Sequence, residues 1–332
     1  MKHKIACTGI KPTGVPHIGN YFGAIKPALA LAEEYQTRYF IADYHAINSM
    51  RDPEELRLRT YDVAATWLAC GLDPEKSLVY RQSQVPETFD LTLILMAFTA
   101  KGLMNRAHAY KAMVDQNLQN GKDPDDGINM GLFTYPVLMA ADILLFDTDV
   151  VPVGRDQQQH LEMTADIAQA VNANYGKPLL TVPVPLIQEN THTVIGLDGR
   201  KMSKSYHNTI PLFLPAKQMR KLIMKIVTNS QTIEESKDPD SCNVFSLYRL
   251  FASAEQTEEM RKLYLAGGMG WGQAKQALFE IMDNQLSDFR TRYNDLIANR
   301  DYIDQILAEG SARARELAVQ KVGYLKKEIG VA

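Results

Sequence analysis

Lys201-Met202-Ser203-Lys204-Ser205 stands in a polar stretch that opens with Gly196-Leu197-Asp198-Gly199-Arg200. Two lysines three residues apart on a glycine-flanked loop can gather round a triphosphate and follow negative charge onto a departing pyrophosphate. A solvated basic loop would also be charged, but it would not need this order. With each residue type near a twentieth of usage, the string arises by chance in roughly one such chain in ten thousand. Much earlier, Thr8-Gly9-Ile10-Lys11-Pro12-Thr13-Gly14-Val15-Pro16-His17-Ile18-Gly19-Asn20 leads from an apolar strand pattern into a helical one. A helix start offers free N–H groups and the positive end of a dipole to phosphate, and glycine lets a nucleotide approach the backbone closely. Neither GxxxxGK[ST] nor GxGxxG is present, so this is a different kind of phosphate turn. By residue type alone, His17 is equally suited to capping the helix.

Between these motifs, Tyr135-Pro136-Val137-Leu138-Met139-Ala140-Ala141-Asp142-Ile143-Leu144-Leu145 puts one acid inside an apolar helical run. A buried carboxylate without a partner costs roughly several kcal/mol, so Asp142 should be bonded, in a salt bridge, in a helix-end contact or to a ligand. Pro152-Val153-Gly154-Arg155-Asp156-Gln157-Gln158-Gln159-His160-Leu161-Glu162 then crosses from strand end to helix start, where ligands of open α/β sheets bind. His45, after an earlier strand, suits a pocket wall or a packed structural position.

The elements that must hold these residues alternate. Strand patterns at Lys4–Thr8, Arg38–Ala42, Ser77–Tyr80 and Val150–Val153 are separated by helical ones from about Gly19, from Pro53 to about Cys70, over Met130–Leu145 and over Gln157–Val171. Asp52-Pro53-Glu54-Glu55 supplies a cap, a first-turn proline and two acids to one helix start. The alternation predicts a doubly wound parallel α/β sheet of Rossmann type. From Pro215 onward the pattern is helix after helix, which predicts a smaller all-helical second domain. Lys217, Arg220, Lys221 and Lys225 recur there at helical spacing, as solvated surface or as a stripe for RNA phosphate.

The chain has 332 residues, 45% of them hydrophobic and 23% charged, enough for one large core or two modest ones. No apolar run reaches the ~18 residues of a membrane span, and no signal-type segment opens the chain, so a cytoplasmic protein is expected. Cys7, Cys70 and Cys242 lie far apart, without zinc or cluster spacing, and read as reduced structural thiols. A net charge of -3 gives no global basic signature, so any nucleic acid must meet local patches.

His17-Ile18-Gly19-Asn20 resembles the HIGH signature of class I aminoacyl-tRNA synthetases, with Asn20 in place of the last His, and Lys201–Ser205 matches KMSKS in full. The chain is similar over almost its whole length to the tryptophanyl family of that class, most strongly at these signatures and at residues 135–166 and least after residue 245, and the family's members commonly carry the same Asn. Gly154–His160 resembles the GxDQxxH pattern shared by tryptophanyl and tyrosyl enzymes, and Ile41–Ala46 and Gln82–Glu87 also look like tryptophanyl strand ends. The resemblance implies tryptophan–tRNA ligation: Mg–ATP and L-tryptophan give an adenylate and pyrophosphate, and tryptophan then passes to the terminal ribose of tRNA(Trp). It assigns catalysis to His17, Asn20, Lys201 and Lys204. ATP contacts fall to Gly9, Lys11, Pro12, Thr13, His17, Gly19, Asn20, Gly154, Arg155, Asp156, Val194, Lys201, Met202, Ser203, Lys204 and Ser205. Lys11 and Thr13 depart from the family's usual Gln and Ser. Tryptophan contacts fall to Asp142, as acceptor of the indole N–H, and to Met139, Tyr135, Gln157 and His45. Tyrosyl relatives typically have Gln at the position of Met139, so the flexible apolar side chain points to the larger ring. Also implied are a catalytic domain over 1–210, a helical anticodon-binding domain over 211–300, a C-terminal helix over 301–332 that packs back on the catalytic domain, and a homodimer. Mg2+ would arrive with ATP, and no zinc or iron–sulfur cluster is expected. A tyrosyl enzyme, a shorter HIGH-containing nucleotidyltransferase and a non-catalytic RNA-binding paralogue are the competing readings.

Overall fold

The computed structural model describes residues 4–154, 157–187 and 194–332. Five strands, β1 (Ile5–Ile10), β2 (Gln36–Ile41), β3 (Leu78–Arg81), β4 (Val150–Val153) and β5 (Val184–Ile187), form one parallel sheet in the order β3-β2-β1-β4-β5. The chain winds outward from β1 to β3, then returns to place β4 on the other side of β1. A crevice therefore opens between the carboxyl ends of β1 and β4, the switch point where such sheets bind ligands. In the β1–β2 register Gly9 stands opposite Phe40, and a Cβ on Gly9 would fall 2.3 Å from the Phe40 ring.

The predicted strands and long helices form close to their expected bounds. Asp52 caps the helix Pro53–Ala69, its Oδ1 accepting from the N–H groups of Glu54 and Glu55 at 2.8 and 3.1 Å. The apolar helix spans Met130–Leu144, and the helix after β4 spans Gln158–Tyr175. β5 has no counterpart in the sequence reading, because Pro183 and Pro185 argue against a strand. Pro185 is tolerated because β5 is an edge strand. The helices Glu87–Phe98 and His108–Gln119 were also missed, since the first is a nearly continuous apolar run without a decisive period. The helix expected from Gly19 is broken up. A short turn at Ile18–Asn20 passes through a π-helical turn, Tyr21–Ile25, into the helix Lys26–Ala30. Pro27 has no N–H for a regular ladder there, and the wider turn accommodates it.

After residue 215 the chain is helical, with the helices Ala216–Ile223, Asn243–Phe251, Ala254–Ala266, Trp271–Ala298 and Arg300–Ile329. The first ends at Ile223, so Lys225 lies beyond it and the basic stripe is shorter than its spacing predicted. An apolar cluster runs without interruption from Tyr39 and Trp67 to Leu278 and Met282, joining the helical region to the sheet. Cys7, Cys70 and Cys242 are buried and free.

Candidate active site

Local sequence explains the turn that carries His17. His17 caps the turn at Ile18: its Nδ1 accepts from the Asn20 N–H at 3.3 Å, while Asn20 Oδ1 accepts from the His17 N–H at 3.1 Å. With Nδ1 accepting, the proton of the neutral ring sits on Nε2, which is left as a donor. Burial, and next the charge of Lys204, push the His17 pKa from 6.5 to about 4, so the ring is neutral near pH 7. A Cβ on Gly19 would meet His17 Nδ1 at 2.9 Å, which explains the glycine beside the histidine.

The second loop is pinned to the first. Ile18 N–H donates to the Ile210 carbonyl and Leu212 N–H to the Pro16 carbonyl, both at 3.0 Å. The Gly19 N–H points at Met202 Sδ, 3.3 Å away, and Lys204 Nζ donates to the Thr13 carbonyl at 2.5 Å. Lys204 is largely exposed as a residue, yet its ammonium packs over the Gly14 turn. That desolvation, with a smaller effect from Arg59, lowers its pKa. Inside the loop the buried Asn208 accepts from the Ser203 N–H at 2.8 Å and donates to Asp198 Oδ1 at 2.7 Å and to the Lys201 carbonyl at 3.1 Å. Asn208, and then Arg200, hold the Asp198 carboxyl at about 2, below the usual range. Val194 is buried and its carbonyl accepts from the Met202 N–H.

A cavity of ≈ 560 Å³ lies over the switch point. Gly9, Lys11, Thr13, Gly14, Asn20 and Lys204 line it together with His45, Tyr135, Met139, Asp142, Gly154 and Gln157. The residues of the glycine turn and Lys204 thus share one space with Asp142 and its neighbours. Asp142 is 1% exposed. Its Oδ2 lies 2.9 Å from His45 Nε2, and Gln82 Nε2 donates to Oδ1 at 2.8 Å and to Oδ2 at 2.9 Å. Burial raises the Asp142 pKa, and the bonds to His45 and Gln82 oppose that rise. A carboxylate offers about four acceptor positions, so capacity remains on Oδ1 for a donor in the cavity. The Tyr135 hydroxyl bonds His160 Nε2, and His160 Nδ1 lies 3.1 Å from Gln157 Oε1. Lys11 Nζ stands 5.8 Å from the Tyr135 ring centroid.

Residues 1–287 match the family tRNA synthetases class I (W and Y). The chain belongs to that family. This class I synthetase is 51% identical to the tryptophan–tRNA ligase of Pseudomonas aeruginosa over 328 residues, which are 98% of this chain and 73% of the relative. The tryptophan–tRNA ligase of Neisseria meningitidis is 48% identical, over 100% of this chain and 99% of its own. Among solved structures, the Campylobacter jejuni tryptophanyl-tRNA synthetase complexed with ADP and tryptophan superposes with a TM-score of 0.90 at 42% identity. The match covers 98% and 99% of the two chains.

Not every residue expected at the site of this synthetase lines its cavity. His17 is nearly buried behind the turn, and Lys201 is exposed, its backbone forming an antiparallel bridge with Ile195. Pro12, Gly19, Met202, Ser203 and Ser205 sit in or beside the two turns rather than in the cavity wall. Arg155 and Asp156 lie outside the described residues. Gln82 and Asp43 had no assigned role. Gln82 stands in a segment already noted at a strand end, but its reach to a residue sixty positions away has no local signal. His160, given no chemistry from sequence, joins Tyr135 to Gln157.

Proposed function

We infer that this class I synthetase is a tryptophan–tRNA ligase: it activates L-tryptophan with Mg–ATP and transfers it to the terminal ribose of tRNA(Trp). The observation that carries the amino-acid specificity is Asp142, buried and already braced by two side chains, yet facing the same cavity as the Gly9–Gly14 turn and Lys204. A braced carboxylate can accept the single indole N–H, and Met139 gives the ring an adaptable apolar wall. Phenylalanine would leave that acceptor unpaired, which a site of this kind rejects strongly. The names of the relatives that match 98% and 100% of this chain agree.

The chemistry is in-line displacement at the α-phosphorus by the tryptophan carboxylate, with pyrophosphate leaving, followed by attack of the tRNA ribose hydroxyl on the anhydride. Neither step needs a nucleophile from the protein. The Nε2–H of His17, the amide of Asn20 and the ammonium groups of Lys201 and Lys204 are proposed to donate to phosphate oxygens as charge grows on them. Lys201 and His17 would have to turn towards the nucleotide, a movement suited to a glycine-flanked loop. Mg2+ belongs to the substrate, where phosphate oxygens supply most of its ligands.

The remaining assignments are parts of the same proposal: ATP contacts at Gly9, Lys11, Thr13, Gly154 and Asp156, tryptophan contacts at Tyr135, Gln157 and His45, and domains divided at residues 210 and 300, the middle one reading the anticodon. Among the described residues no helix is long and apolar enough to cross a membrane. We place the protein in the cytoplasm as a homodimer. Phe89, Leu93 and Met96 recur along one face of an exposed helix, and Tyr44 packs edge-on against Phe89, which suits burial against a second copy. ATP–pyrophosphate exchange with tryptophan, tyrosine and phenylalanine supplied separately tests the assignment, using wild type and Asp142→Ala. Exchange with tryptophan alone, lost in the variant, is expected. Exchange with tyrosine would move the chain to the sister specificity, and none at all would favour an RNA-binding paralogue.

A further inference from the structure

The C-terminal helix Arg300–Ile329 presses on β3 so closely that a Cβ on Gly310 would fall 1.7 Å from the Val79 carbonyl oxygen. At that contact Ser311, 4% exposed, bonds in both directions. Its hydroxyl donates to Gln84 Oε1 at 2.7 Å, and its oxygen accepts from the Arg81 N–H at 3.3 Å. The residues held between these two bonds are those that brace the amino-acid end of the cavity. Gln82 Nε2 bonds both oxygens of Asp142, and Gln82 Oε1 accepts from the Tyr44 N–H at 3.2 Å. Ser83 donates to Asp43 through its N–H at 3.1 Å and its hydroxyl at 2.5 Å, and Arg81 Nε donates to the same carboxylate at 2.6 Å. The turn Gln82–Gln84 has no side-chain cap of its own. Its ends are tied to a helix that comes more than two hundred residues later in the chain.

We propose that Ser311 is a positioning residue for amino-acid binding: it clamps the 81–84 turn so that Gln82 holds Asp142 in line for the substrate. This rests on the reading of the Asp142 end of the cavity as the tryptophan site. Ser311 touches no substrate. Its effect passes through Gln82, and a small displacement of a bracing group suffices to weaken a site built on hydrogen-bond alignment. Removing the hydroxyl frees both ends of the turn at once, and the nucleotide end of the cavity, built on other elements, is unaffected.

The test is steady-state exchange kinetics of Ser311→Ala and Gln84→Ala, singly and together, with thermal unfolding of each. We expect the tryptophan KM to rise roughly three- to tenfold, the equilibrium weight of one ordinary hydrogen bond. The ATP KM and the kcat should stay within about twofold. Gln84→Ala, which removes one of the two bonds, should be the milder single variant, and the double variant should be no worse than Ser311→Ala, which already removes both. A tryptophan KM unchanged in folded Ser311→Ala would overturn the proposal. So would a parallel loss in kcat and both KM values, which would mark a general structural role. Failure of the underlying reading would appear in the wild type, as absence of tryptophan-dependent exchange, and would sink both.

Discussion

Lys204 Nζ donates to the carbonyl oxygen of Thr13 at 2.5 Å, so two segments separated by 191 positions meet through their own atoms at the mouth of the cavity. The lysine is held over the glycine turn, and its charge adds to the burial that already keeps the His17 ring neutral.

Replacing Lys204 with alanine should therefore slow the chemical step far more than it weakens tryptophan binding. In single-turnover adenylate formation we expect a fall of about a hundredfold or more, as for loss of one transition-state donor. The tryptophan KM should stay within about threefold. A single-turnover rate unchanged from wild type would remove Lys204 from the reaction.

Asp142→Asn separates charge from shape. The amide can still meet His45, but it presents one acceptor oxygen instead of the two that Gln82 now bonds. Burial disfavours the carboxylate form, as its raised pKa records, so the variant should fold with little loss in urea stability. Tryptophan binding should fall about ten- to a hundredfold, consistent with a charge-assisted hydrogen bond. Equal affinity of variant and wild type by titration calorimetry would place the indole elsewhere.

His17 gives a pH dependence with a definite sign. Its pKa is about 4 in the folded chain against an ordinary 6.5, so between those values the unfolded chain binds more protons. Its contribution to stability is complete above about pH 6.5 and is lost as pH falls towards 4. Wild type should lose more unfolding free energy than His17→Gln between pH 7 and pH 5, measured by urea titration. Equal losses would mean that His17 titrates like an exposed histidine.

Gly310→Ala should destabilise by about 1–3 kcal/mol, because the new methyl meets backbone at Val79 rather than a movable side chain. Gly323→Ala in the same helix is the control. Nothing lies within 4 Å of its added Cβ, and replacing a helical glycine should leave stability equal or raise it by up to about 1 kcal/mol. Similar unfolding midpoints for the two variants would show that the helix does not press on β3 as described.

Residue order alone determined the family, because a five-residue loop and a glycine-bearing turn are local strings that can be read without the fold. It determined the parallel sheet as well, since alternating apolar periods leave little choice of architecture. What depended on hydrogen bonds between distant segments was decided only in three dimensions. β5 pairs despite Pro185 because it falls at an edge. The turn after His17 widens to a π-helical form over Tyr21–Ile25 that no period anticipates, just ahead of Pro27. Asp142 had to have a partner on energetic grounds, but that the partners are His45 and Gln82 followed from the strand order β3-β2-β1-β4, which brings the carboxyl ends of β2 and β3 under the 130–144 helix. Ser311 belongs wholly to this second class. A serine in a long helix has no local mark of function, and it acquires one only because the missing side chain of Gly310 lets that helix reach the turn that braces the site.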